Sequence, residues 1–164
     1  MSVVAAKVDK EHGVISIASD SISLRGQTKR AYSKLVKIND MIIGSVGLTE
    51  ELSLMFRYAQ THRPESATER DVLAFMVEFL SWKKDYSGGT TENHYLLAFD
   101  GHLFLIQRML IEEVKDYEAI GAGEEYALAA LYLGHQPDEA VKVACDLCCY
   151  VAEPIVEYKM QMFE

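Results

Sequence analysis

Apolar residues in this chain fall in short blocks separated by turn signals. Val3 to Val8 and Val14 to Ala18 are β-type runs. Between them Asp9, Lys10, Glu11, His12 and Gly13 form a polar stretch, which predicts a β-hairpin with a five-residue loop. Leu35 to Ile38 and Met41 to Val46, closed by Asn39-Asp40, predict a second hairpin, and Gly44 and Gly47 signal close backbone approach there. The period then changes. Leu52, Met55, Phe56 and Ala59 recur at helical spacing, and Arg63-Pro64 ends that pattern. Thr68 and Asp71 resemble a capping pair ahead of Leu73, Met76, Val77 and Leu80. After a Ser87–Thr91 loop, Tyr95 to Phe99 and Leu103 to Gln107 flank Asp100-Gly101-His102, a strong hairpin signal. Tyr117 to Ile120 is a further strand.

Beyond Gly121-Ala122-Gly123, an Ala-rich helix over Glu124 to Leu133 stops at Gly134. Gln136-Pro137-Asp138-Glu139 starts a last helix, with Pro in its first turn and acids at the positive end of its dipole. Its inner face reads Val141, Ala144, Cys145, Cys148 and Ala152, and Pro154 ends or kinks it. Strands and helices therefore come in blocks. That order predicts an α+β domain over residues 1–164, with largely antiparallel sheets packed face to face and helix pairs outside.

Composition narrows the function classes. With 16 Lys+Arg against 25 Asp+Glu, the net charge is -9, unsuited to general binding of nucleic acid or anionic membranes. The three cysteines, Cys145, Cys148 and Cys149, are clustered, so they read as helix-face residues and not as a disulfide framework. Cys145-x-x-Cys148 lacks a second ligand pair at zinc spacing. No metal or cofactor is expected. No apolar run reaches the roughly 20 residues of a membrane span, and the first residues lack the basic start of a signal peptide. The expected compartment is the cytoplasm.

The common nucleotide, triad and zinc motifs are missing, and the five histidines are scattered over turns. One constellation remains, in the first half. Removal of Met1 would make Ser2 the terminal residue, supplying a hydroxyl and a free α-amine whose ordinary pKa, near 8, suits a base. Asp20 ends the second strand and Lys34 begins the third. A Lys near Ser2 would ease ionisation of the hydroxyl, and an acid beside that Lys would hold it charged.

Val3-Val4-Ala5-Ala6-Lys7 followed by Gly13 to Ser21 resembles the opening of proteasome β-subunits and of the bacterial HslV-type peptidase. Ser33-Lys34-Leu35 through Gly44 resembles their second hairpin, and Ile120 to Ala127 their Gly-Ser-Gly turn before the third helix. The resemblance implies the N-terminal nucleophile hydrolase fold, a four-layer αββα sandwich. It also implies peptide-bond hydrolysis with Ser2 as nucleophile, Lys34 and Asp20 as the supporting pair, and a backbone oxyanion hole near Gly47. Protein or peptide substrates, a homo-oligomeric ring and an ATP-dependent unfoldase are the partners it implies. Two departures stand out. Ala122 replaces the family serine, and direct matching of Val3 to Lys7 puts Met1, not Ser2, at the nucleophile position. A catalytically inactive structural or binding member that retains Met1 is the alternative.

Overall fold

The computed structural model describes residues 1–162. Six strands come first: β1 (Val3–Asp9), β2 (Val14–Ser19), β3 (Ile22–Arg25), β4 (Thr28–Ala31), β5 (Leu35–Ile38) and β6 (Met41–Val46). Helices α1 (Thr49–Ala59) and α2 (Glu69–Lys83) follow. Then come β7 (His94–Phe99), β8 (His102–Gln107), β9 (Leu110–Val114), β10 (Tyr117–Gly121), α3 (Glu124–Tyr132), α4 (Pro137–Leu147) and β11 (Val156–Gln161). Every strand pair is antiparallel. One sheet has the order β10-β1-β2-β11, a second the order β5-β6-β7-β8-β9, and β3-β4 is a separate two-stranded ribbon.

Strand alternation divides the buried side chains among three cores. Met41 and Ile43 of β6 pack with Met55 and Tyr58 of α1 and Phe75, Met76 and Phe79 of α2. Their neighbour Ile42 faces the other way, joining Val4 and Ala6 of β1 and Ile15 and Ile17 of β2 between the sheets. Val3 and Ala5 of β1 face Ala127, Ala130 and Leu131 of α3 and Ala140, Val141 and Ala144 of α4. Both faces of β1 and β6 are thus covered, which explains their near-continuous apolar sequences. The sheets approach closely at Gly44. A Cβ there would lie 2.6 Å from Cγ1 of Val4, so the missing side chain admits the opposing strand.

Several expectations need correction. The last helix stops at Leu147 and does not reach Pro154. Cys148 is already extended (φ −98°, ψ 123°), which carries Val151 back into the core. The three cysteines consequently do not share a helix face: Cys145 is half-buried in α4, Cys148 is buried just beyond it, and Cys149 is exposed. Strands β3, β4, β9 and β11 lie outside the elements expected from the apolar pattern. Within the described residues, no helix is long and apolar enough to cross a membrane.

Candidate functional site

Strand β2 ends beside the start of β1, and Asp20 follows directly. Its side chain is fully buried. Oδ1 accepts the Val3 N–H at 3.0 Å, and Oδ2 accepts the N–H groups of Ile22 at 3.4 Å and Ala152 at 3.3 Å. Lys34, the residue before β5, is 5% exposed and donates from Nζ to both carboxylate oxygens, at 3.0 and 3.1 Å. Its carbonyl accepts the Ser45 N–H at 2.9 Å, fixing its backbone to the end of β6. Burial pushes the Lys34 amine below its ordinary pKa, and the Asp20 charge opposes that shift. The nearby Cys145 thiol is pushed up to about 11, by burial first and then by Asp20.

The same Lys34 Nζ donates to the carbonyl oxygen of Met1 at 3.2 Å. The lysine therefore lies against the peptide joining residues 1 and 2. Ser2 is 5% exposed, and its carbonyl accepts the Gly123 N–H at 3.2 Å, which ties it to the Gly121-Ala122-Gly123 turn. Ser2 continues the parity of Val4 and Ala6, whose side chains lie between the sheets. Met1, Ser2, Lys34, Ser45, Gly47 and Thr49 line one pocket of about 90 Å³. Of the residues singled out in the sequence, Ser2, Lys34 and Gly47 thus share a pocket, and Asp20 stands behind Lys34.

Gly47 has φ 128°, and a Cβ there would run into the side chain of Asn93. Only glycine fits both the backbone angle and the space. Among the described residues, its N–H has no hydrogen-bond acceptor. It is therefore a free donor in a residue lining the pocket.

Sequence reasoning missed the residues that hold this turn. Asn93 is fully buried; its Oδ1 accepts the Leu48 N–H at 2.6 Å, and its Nδ2 donates to the Leu48 carbonyl at 2.9 Å and to Ser45 Oγ at 3.1 Å. Asn93 is in turn held by Glu51 of α1, whose Oε2 accepts its N–H at 3.1 Å. Glu51 also accepts from Thr91 Oγ1 at 2.8 Å, the Glu92 N–H at 2.8 Å and the Tyr95 hydroxyl at 2.6 Å. Burial, then the Glu51 charge, holds the Tyr95 hydroxyl well above its ordinary pKa. One signal could have exposed Glu51: it sits one helical turn before Met55, an acid on the apolar stripe of α1.

No family model matches the chain, and no curated protein matches it in sequence. Solved structures do. The chain is similar to BPH of Thiobacillus denitrificans in complex with epoxomicin, with a TM-score of 0.88 at 17% identity, covering 99% of this chain and 100% of that one. A further structure of the same organism's BPH gives 0.84 at 19% identity, covering 99% of each chain. At that identity the likeness shows a shared fold, over essentially the whole length of both chains.

Proposed function

We propose that this chain is a proteasome-like peptidase of the N-terminal nucleophile hydrolase type, a four-layer αββα sandwich in which Ser2 becomes the nucleophile once it is freed as the first residue. One observation carries this reading. A buried lysine, paired with a fully buried aspartate, lies 3.2 Å from the carbonyl of residue 1, in the pocket that Ser2 and Gly47 line. An ion pair held out of water near a backbone terminus costs desolvation free energy, and activation of a nucleophile gives that cost a use. The likeness to a structure solved with epoxomicin, a proteasome inhibitor, supports the same class.

In this mechanism the freed α-amine of Ser2 takes the proton as Oγ attacks the scissile carbonyl carbon. The oxyanion that forms is stabilised by the free N–H of Gly47. The C–N bond breaks, the amine leaves with the proton, and an ester on Ser2 remains. Water, activated by the same α-amine, hydrolyses the ester and regenerates the hydroxyl. Lys34 stays cationic through the Asp20 contact and lowers the proton affinity of the neighbouring amine. Assembly of the chain into a ring fed by an unfoldase, in the cytoplasm, belongs to the same proposal.

The contact between Lys34 and Met1 favours a second reading. With Met1 in place the Ser2 nitrogen is an amide and cannot act as a base, and Lys34 is occupied by the Met1 carbonyl. The chain would then be a non-catalytic member of the fold. Intact mass separates the two. Protein lacking Met1 should hydrolyse unfolded casein, and Ser2→Ala should reduce the rate at least 100-fold. Undiminished hydrolysis by Ser2→Ala, or none by protein that begins at Ser2, overturns the catalytic reading.

A further inference from the structure

Charge is unevenly distributed along this acidic chain. Residues 21–39 hold Arg25, Lys29, Arg30, Lys34 and Lys37, five of the 16 basic residues, and none of the 25 acidic ones. Three of these cations lie on the β3-β4 ribbon, which hydrogen-bonds to neither large sheet. Arg25, Lys29 and Arg30 are all exposed. Elsewhere, many cations are used within the molecule: Lys10 pairs with Asp116, Arg63 with Asp40, Lys115 with Glu113, and Lys142 with Asp146 and Glu153. Among the described residues, no carboxylate lies within ion-pair distance of Arg25, Lys29 or Arg30. Three unpaired cations in one short segment of an acidic protein leave positive charge available to a ligand.

The ribbon also forms one wall of the Ser2 pocket, through Ile22, Ser23 and Leu24. Its register is Ile22 opposite Ala31, Ser23 opposite Arg30, and Leu24 opposite Lys29. Lys29 therefore shares the ribbon face of Ile22 and Leu24 and stands beside the half-exposed Leu24 at the pocket's outer wall. Arg30 stands across from Ser23, another wall residue. Successive strand residues alternate faces, so Lys29 and Arg30 edge this wall from opposite sides of the ribbon, with Leu24 as its apolar step.

We propose that the β3-β4 ribbon selects anionic peptides for this pocket: segments carrying Asp or Glu a few residues from the point of entry. The inference rests on the pocket being a peptide-binding site, but not on its being catalytic. Exposed charge pairs are individually weak, so three together should change affinity by about tenfold and should be screened by salt.

The test measures binding by calorimetry at low salt, using Ser2→Ala protein so that turnover does not enter. The probes are two unstructured peptides of equal length, one with several Glu residues and one with Gln at the same places. The Glu peptide should bind about tenfold more tightly. Its advantage should vanish in Arg25→Gln/Lys29→Gln/Arg30→Gln and fall sharply in 0.5 M salt. Lys10→Gln, in the loop at the far end of β1, should retain it. Equal affinity of the two peptides for the unmodified ribbon overturns the proposal, and so does a Glu advantage that survives in the triple variant. Absence of catalysis in Ser2-containing protein, with the Glu preference intact, refutes the peptidase reading and leaves this one standing. The exposed ribbon side chains make the triple variant compatible with folding. Unchanged near-UV circular dichroism and unchanged affinity for the Gln peptide would show that the pocket persists.

Discussion

Asp20 and Glu51 are the two most deeply buried carboxylates among the described residues, and they are satisfied in opposite ways. Glu51 is surrounded by groups that donate without carrying a full charge: two backbone N–H groups and the hydroxyls of Thr91 and Tyr95. Asp20 accepts three backbone N–H groups and also faces a buried cation, Lys34. Neutral donors suffice to dissolve a carboxylate in a protein interior. Backbone donors meet the hydrogen-bonding needs of Asp20, and Lys34 adds the countercharge. Its further contact, with the Met1 carbonyl, points outward to the pocket. Glu51 is arranged as a clamp, whereas Asp20 anchors a cation presented to the peptide between residues 1 and 2.

Replacing Lys34 with Ala should separate the two sites most. It leaves a fully buried carboxylate without its countercharge, and chemical denaturation should show a loss of about 3–5 kcal/mol. Peptide hydrolysis should fall below detection. Asp20→Leu combined with Lys34→Met should recover most of the stability and none of the hydrolysis; recovery of both would dissolve the contrast. Glu51→Gln comes next. It keeps the volume but turns one acceptor into a donor facing donors, a change of about 2–3 kcal/mol by the same measurement. If Glu51→Gln costs more than Lys34→Ala, the neutral cage is the dominant structural element and the contrast is reversed.

Asn93→Ala should cost about 1–3 kcal/mol, since it strands the Leu48 N–H and leaves the Leu48 carbonyl only its Leu52 donor. Because Asn93 acts on Gly47 through the turn, its loss should lower kcat by about 10- to 100-fold with little change in KM. A KM effect alone would reduce it to a packing residue. Ser45→Ala removes a single bond to Asn93, and a loss of about 1 kcal/mol is expected in thermal unfolding.

The paired apolar runs made the large hairpins legible. Leu35–Ile38 and Met41–Val46 form strands over the expected residues, and Thr68 caps α2 by accepting the Asp71 N–H. What stayed hidden had weak local signals. Strand β4 is exposed throughout and β3 buries only Ile22, so four-residue strands offered too little alternation to read. The turn before β9 uses Arg108 at φ 58°, a residue that does not mark turns in a sequence. Strand β11 carried a readable signal in Val156, Tyr158 and Met160, spaced by two, but it follows Pro154 at the close of an expected helix. The approach of Asp20 and Lys34 depends on packing between the two sheets, which sets the end of β2 beside the start of β5 and has no local signature. Asn93 could not be read, because its partners lie 45 and 48 residues away, in β6 and the turn after it.

The hydrogen bond from Ala152 to Asp20 spans 132 residues of chain. It makes the carboxylate a checkpoint on completion of the fold. Until the segment beyond α4 has docked and β11 has paired with β2, the aspartate lacks one of its donors and β2 lacks its outer neighbour. During synthesis, a nascent chain that already carries Ser2, Asp20, Lys34 and Gly47 cannot yet hold them in their final arrangement. Completion of the site therefore waits on the last described strand, β11, whatever the state of the residues at the other end of the sequence.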